Sequence, residues 1–420
     1  MPLDQHRTIA DIAEAIAHAD GECVFLIGAG CSKSAGIPMA NQLISEIENK
    51  FPNAYERAKK KGDLGYNNVM AQLTTAQRNK LLDNHIDKAN VNFAYLALAQ
   101  LFHQRKIDRI LTVNFDPLIM RACAMVGEFP AVYDLATASE FKGSRIAPRS
   151  VFYLNGQHTG FTMLNSNAEL ERHKKRLQQI VDNTGFKRIW VVVGYSGNAD
   201  PLLEILNDTP AFDNGLYWVS TRDSPPEQMR AMLEDRDKQA YFIGGQDADK
   251  FLTELAQNLD CFPPALLARP FEHIEKIITH INFESGGTAG KKVRDALLQK
   301  IHRTRKLEEA PDSVDLMAMM LAGKEQEVMA HYQKVARQNR HENDSAAWMH
   351  ITMGFDLAED AREIEEHDLK GAQDKWIKAI ENYDAALRLN PNMHESLAQW
   401  RIALLAEAKS RFDLVEHTTA

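Results

Sequence analysis

The chain has 420 residues, 44% of them hydrophobic, which is enough for two or three domains with cores of their own. A net charge of −9 argues against non-specific nucleic-acid binding, and apolar runs such as 189–193 are too short to span a bilayer. With no secretory leader and no C-x-x-C pair among Cys23, Cys31, Cys123 and Cys261, neither a zinc ribbon nor a disulfide framework is expected, and the chain reads as cytoplasmic with structural thiols.

In chain order, residues 1–262 alternate short apolar strands with amphipathic helices. Strands are predicted at 22–27, 107–113, 151–155, 188–193, 216–220 and 240–243, with helices at 8–18, 91–105 and 249–259 among them. Several strands are rich in Val and Ile without polar alternation, the pattern of strands buried on both faces of a parallel sheet. The fold class is α/β: a doubly wound, mostly parallel, Rossmann-like sheet over 1–262, followed by an all-helical domain over 263–420. Phe262-Pro263-Pro264 breaks the alternation, and Ser285-Gly286-Gly287 reads as a turn that starts a helix. The following Lys291-Lys292 lacks the Ser or Thr of a phosphate-binding P-loop.

Towards the C-terminus, a helix carrying Trp376, Ala379, Tyr383, Ala386, Leu387 and Leu389 stops at Pro391. It resembles the second helix of a tetratricopeptide repeat, in which small residues let antiparallel helices approach. Trp348 and Gly354 lie ahead of it, and a weaker unit carries Gly323, Val328, Tyr332 and Ala336. Paired helices over 316–336 and 346–391, with a third unit over 393–408, are expected to form an interaction surface. An ordinary helical bundle is the plainer alternative.

Four segments carry chemistry. The first, Gly28-Ala29-Gly30-Cys31-Ser32, follows an apolar strand and precedes a helix-like stretch at Leu43, Ile44 and Ile47. Such a loop brings backbone N–H groups to a pyrophosphate, with Gly28 and Gly30 removing side chains that would block the approach. The second, Thr112-Val113-Asn114-Phe115-Asp116-Pro117, ends a strand at the carboxyl edge of the sheet; Asp116 before Pro117 is also a good helix N-cap. The third runs from Val191 through Gly194, Ser196 and Gly197 to Asp200-Pro201, its glycines allowing close backbone approach. The fourth is Leu154-Asn155-Gly156-Gln157-His158.

Taken together these four segments resemble the sirtuin family over the first 262 residues. The resemblance implies NAD as substrate, bound by Gly28, Ala29, Gly30, Ser32, Asp116, Gly194 and Ser196, with Asn114 ordering ribose and water and Asp116 reading the carboxamide. A turn at Gly244-Gly245-Gln246-Asp247 would complete the adenine end. The family's catalytic His stands where this chain has Asn155, and an amide takes no proton at neutral pH. Three readings stay open: His158 has taken over as base, the domain binds without turnover, or Asn155 is an inactivating substitution. Met39-Ala40-Asn41 replaces the family's Asp-Phe-Arg shield, and the cysteine-based zinc module is missing. The resemblance is therefore closer to bacterial sirtuin-like NAD hydrolases of antiphage defence than to protein deacylases. It implies a homo-oligomer, or a protein trigger acting through the helical domain. No catalytic metal is expected, and the basic run 172–176 reads as a solvated helix face.

Overall fold

Cys23–Ile27 is five consecutive buried residues without polar alternation, and it forms β1, the central strand of the sheet. The others are β2 (Arg109–Thr112), β3 (Ala131–Asp134), β4 (Ser150–Tyr153), β5 (Ile189–Val193), β6 (Leu216–Val219) and β7 (Ala240–Ile243). In the computed structural model they make one seven-stranded sheet in the order β3-β4-β2-β1-β5-β6-β7. Every pairing is parallel, with Ile27 level with Thr112 on one side and Val193 on the other. The chain winds outward from β1 to one edge, returns to β5 beside β1, and winds to the other. That reversal puts a crevice at the carboxyl ends of β1 and β5.

The structure describes residues 7–19, 22–138, 143–160, 163–164, 166–185, 187–197, 201–308, 319, 321–324, 327, 340–365, 368–393 and 398–406. It divides into two compact units, Met1–Leu266 and Leu267–Ala420.

In the first unit, α1 (Ile9–His18) begins at a capping box in which Thr8 Oγ1 accepts from Asp11 N at 3.2 Å. Between β1 and β2 the chain inserts α2 (Ala40–Lys50), α3 (Pro52–Lys60), α4 (Tyr66–Ala71) and α5 (Thr75–Ile86) before α6 (Phe93–His103). Helices α2 to α5 bury their own small core, including Leu43, Ile47, Val69, Met70, Leu81 and Leu82. Beyond β2 come α7 (Leu118–Met125), α8 (Asn167–Gly185), α9 (Pro201–Asp208), α10 (Glu227–Glu234) and α11 (Ala248–Asn258). One strand, β3, is not predicted from sequence. It is a four-residue edge strand after Pro130, only partly buried, so it carries no apolar run to read.

In the second unit, helices Pro270–Thr279 and Gly287–Glu308 are followed by the pair Arg340–Ile364 and Leu369–Leu389. That pair is antiparallel: His350 meets Asn382, Gly354 meets Tyr383, and Asp360 meets Lys375. Small residues Ala347, Ala358 and Ala361 on one helix and Ala379 and Ala386 on the other share a core with Trp376 and Tyr383. A Cβ on Gly354 would lie 2.7 Å from the Tyr383 ring, so the close approach depends on that glycine. Val328, Tyr332 and Ala336 of the expected earlier pair, and residues 407 and 408 of the expected third unit, lie outside the described residues. Among the described residues no helix is long and apolar enough to cross a membrane.

Candidate functional site at the carboxyl ends of β1, β2 and β5

After β1 the chain makes a short 3-10 turn, Ala29–Ser32, and reaches α2 only at Ala40. The loop is clamped to the loop after β5: Gly28 N donates to Val193 O at 3.0 Å and Gly30 N to Gly194 O at 2.9 Å. Cys31 N closes back onto Gly28 O at 3.0 Å. A Cβ on Gly28 would stand 2.6 Å from Gly194 O, and one on Gly30 would stand 2.7 Å from Gly194 Cα. Gly194 itself has φ +66° and faces Cys31 N. The glycines thus serve the packing of one loop on another. The expected reason, an unobstructed path for pyrophosphate, is not what this arrangement requires of Gly28 and Gly30, whose N–H groups are already engaged.

Beneath the loop lies a closed polar cluster built from three elements. Ser32 Oγ donates to Asp116 Oδ2 at 2.8 Å and sits 2.8 Å from the Tyr95 hydroxyl of α6. Asn114 Nδ2 donates to Gly28 O at 2.9 Å and lies 3.1 Å from both Ser32 Oγ and Tyr95 Oη. Gly28 O can only accept, so the amide orientation of Asn114 is fixed with Nδ2 inward. Among the described residues Oδ1 of Asn114 has no partner, which leaves an acceptor for a water or hydroxyl.

Asp116 is buried and has no cation within ion-pair reach among the described residues. Besides Ser32 it accepts from Leu118 N at 3.1 Å, while Tyr153 Oη donates to its main-chain oxygen at 3.2 Å. Burial pushes its carboxyl above the usual carboxylate range, against the lowering effect of its hydrogen bonds. The expected capping is present with a one-residue offset: α7 starts at Leu118, and the side chain of Asp116 holds its first N–H. Burial likewise pushes the Tyr95 phenol up, with Asp116 adding to the rise, so Tyr95 stays a neutral donor.

Asn155 and His158 flank this cluster through the backbone. Asn155 Nδ2 donates to Val113 O at 3.2 Å, steadying the residue before Asn114, and its own carbonyl receives Leu164 N at 2.8 Å. His158 N donates to Phe115 O at 2.8 Å, between Asn114 and Asp116. Its ring Nε2 lies 3.2 Å from Asp83 Oδ1 of α5.

Hydrogen bonds or close packing therefore link Gly28, Gly30, Ser32, Asn114, Asp116 and Gly194 directly. Asn155 and His158 attach through Val113 and Phe115, whereas Ala29 and Ser196 are exposed near the same sheet edge with no bond into the cluster among the described residues. Asp200 lies outside the described residues. At the far end of the crevice Gln246 N donates to Ser220 O at 2.8 Å, joining the turns after β6 and β7. In the basic run, Lys174 pairs with Glu204 and Arg176 Nη1 donates to Leu135 O at 3.3 Å.

Sequence reasoning missed Tyr95, Asn92, Asp249 and Asp83. Asn92 Nδ2 donates to Cys31 O at 2.8 Å while its Oδ1 caps Tyr95 N, so one side chain joins the loop to the start of α6. Asp249 of α11 accepts from Ser34 Oγ at 2.5 Å and from Ala94 N at 2.9 Å. Asn92, placed just before an apolar helical run, carried an N-cap signal that points to it. Tyr95 inside that run carried none. Among the described residues no group of three His, Cys, Asp or Glu side chains is arranged to hold a metal.

No protein-family model and no curated protein matches the sequence. Among solved structures the chain is similar to a Sir2 homolog in an NAD complex, at 15% identity and a TM-score of 0.38, over 61% of this chain and 95% of that one. It is also similar to a Sir2 protein bound to a propionylated peptide, at 15% identity and a TM-score of 0.35, over 59% of this chain and 97% of that one.

Proposed function

We propose that this chain is an NAD hydrolase that cleaves the nicotinamide–ribose bond to give ADP-ribose and nicotinamide. One observation carries the reading: Ser32, Asn114 and Asp116, from loops after two adjacent strands, form one buried polar cluster under a glycine loop at the switch point of a parallel sheet. Asn114 presents its amide oxygen to order water and ribose. Asp116 keeps a buried carboxylate without a cation, suited to a carboxamide or to the positive pyridinium ring. Ala29 and Ser196 offer exposed groups along the crevice for phosphate and ribose. Water is the acceptor because Met39-Ala40-Asn41 supplies no aromatic and guanidinium shield over the reacting carbon. In this reading the protein is an effector of antiphage defence. Its tetratricopeptide-like helices hold a trigger protein or a second copy, and NAD loss is gated by that assembly.

A second reading is NAD binding without turnover. It is favoured by Asn155, which stands at the expected base position and uses its amide to hold Val113. Calorimetry with NAD on the full chain, with Asn114→Ala as control, tests the ligand; no binding by the unaltered chain overturns both readings. NAD loss by the unaltered chain, measured beside Asn155→His, separates them. Turnover in the unaltered chain supports the hydrolase, turnover only in Asn155→His marks Asn155 as inactivating, and turnover in neither supports binding alone.

A further inference from the structure

Helices α2 to α5, inserted between the first two strands, meet His158, whose main chain is bonded to Phe115 beside the polar cluster. Asp83 of α5 stands 3.2 Å from His158 Nε2, and Met163 packs against the core of the insert. The Asp83 side chain is 49% exposed and the His158 side chain only 12%, so a half-solvated carboxylate meets an enclosed ring. The other ring nitrogen, Nδ1, is buried and has no hydrogen-bond partner among the described residues. A buried polar atom left unpaired costs about 1–3 kcal/mol and calls for an explanation in function.

From this pair we propose that Asp83 is a positioning residue that holds His158 with its proton on Nε2, leaving Nδ1 as the base for the attacking water. The proposal rests on the hydrolase reading and gives it the base that Asn155 cannot be. The Asp83 carboxylate, within ion-pair distance of Nε2, favours a proton on that nitrogen, which leaves the lone pair on Nδ1. The main-chain bond from His158 to Phe115 O anchors His158 to the residue next in the chain to Asn114, whose Oδ1 is the acceptor proposed to order water. In the step, the water O–H bond breaks and its proton passes to Nδ1. The water oxygen bonds to the ribosyl carbon, and the bond to nicotinamide breaks with its electron pair going to the pyridinium nitrogen. NAD and water thereby give ADP-ribose, nicotinamide and a proton, with no other reactant. The insert becomes a component of the active site rather than a separate appendage.

The test uses the full chain and its Asp83→Asn, Asp83→Ala, Asp83→Glu and His158→Ala variants. Removing a partner that orients a working His typically lowers activity 10–100-fold. Both Asp83→Asn and Asp83→Ala are therefore expected to lower kcat at least roughly tenfold with KM and NAD affinity within about twofold, and Asp83→Glu to recover some of the loss. His158→Ala abolishes turnover at unchanged melting temperature. Nitrogen-15 NMR of labelled histidine reads the pair without any activity: the Nε2–H form is expected in the unaltered chain and a mixture in Asp83→Asn. Unchanged kcat in Asp83→Asn and Asp83→Ala, or an Nδ1–H form in the unaltered chain, overturns the dyad while the hydrolase stands. A chain that binds NAD but consumes none, even as Asn155→His, sinks the hydrolase reading and the base with it.

Discussion

The two ends of the sheet bury charge in opposite ways. At the amino ends of β2 and β5, Arg188 forks onto Asp108, with Nε 3.1 Å from each oxygen and Nη2 2.8 Å from Oδ2. Beside it, Arg109 Nη1 donates to Asn183 Oδ1 and Thr184 Oγ1, both at 3.1 Å. At the carboxyl ends, Asp116 is more deeply buried, yet among the described residues only neutral groups meet it. A bidentate guanidinium–carboxylate pair offsets much of its own desolvation. A lone buried carboxylate does not, and a protein retains such a group where a ligand or a reaction needs it. The difference separates the end that holds the sheet together from the end proposed to hold NAD.

Breaking the paired end has the largest expected effect. Arg188→Ala removes the bidentate partner of half-buried Asp108 and leaves it only Arg109 Nε at 4.0 Å, a change that destabilises by about 2–3 kcal/mol. Calorimetric melting should register a fall of roughly 10 °C. A fall of only a degree or two would mean the pair is solvated and the contrast between the two ends is overstated. Gly28→Ala comes next. The new Cβ has 2.6 Å to Gly194 O and must push the two clamped loops apart, which costs about 2 kcal/mol and should abolish NAD binding. Normal calorimetric binding by Gly28→Ala would show that the clamp between the loops is dispensable.

How much of this was legible in the sequence varied with the kind of signal. Trp190 to Val193 announced a buried parallel strand because nothing polar interrupts it, whereas β3 went unread because an exposed edge leaves no apolar run. Ser32, Asn114 and Asp116 could be picked out because each belongs to a short motif at the end of a strand. Tyr95 could not. It lies among Ala94, Leu96 and Leu98 in a helix buried all round, where a phenol reads as another large apolar residue and only the fold brings its hydroxyl to Ser32. Asp83 was hidden for a similar reason: α5 has a weak apolar stripe, and its partner His158 is far along the chain. The glycines were legible as necessary but not as to purpose, since sequence does not say whether the atom approaching a missing Cβ belongs to a ligand or to Gly194.

Asp116→Asn sharpens the contrast from the other end and should raise stability. Burial lifts the Asp116 carboxyl above its unfolded range. The folded chain therefore keeps that proton to higher pH than the unfolded chain does. Between the two values the native state binds more protons, so stability declines as pH rises through the folded value. Asparagine removes the charge and keeps one oxygen for Ser32 or Leu118. The variant is expected to melt higher at pH 8, by about 1 kcal/mol, with the gain shrinking towards pH 4. NAD affinity should fall in the same variant. A variant less stable than its parent at pH 8 would show that the carboxylate is no burden to the fold.

Tyr95→Phe makes the smallest change and tests how the cluster orients Asn114. With Asp116 ionised, Ser32 gives its one proton to the carboxylate, so the Tyr95 hydroxyl donates to Ser32 Oγ and is also within reach of Asn114 Nδ2. Phenylalanine keeps the ring's packing and deletes only that relay. Ser32 Oγ then keeps only Asn114 Nδ2, at 3.1 Å, as a donor, while Asn114 still holds Gly28 O. The expected loss is about 1 kcal/mol of stability, the ordinary worth of one hydrogen bond. Asn114 should become less firmly fixed, so turnover should fall more than NAD affinity does, because ordering water matters more in the transition state than in the bound ground state. Parallel calorimetry and NAD-loss kinetics distinguish the outcomes. If affinity and kcat fall together, Tyr95 supports the binding loop as a whole; if neither moves, Gly28 O alone fixes the amide of Asn114.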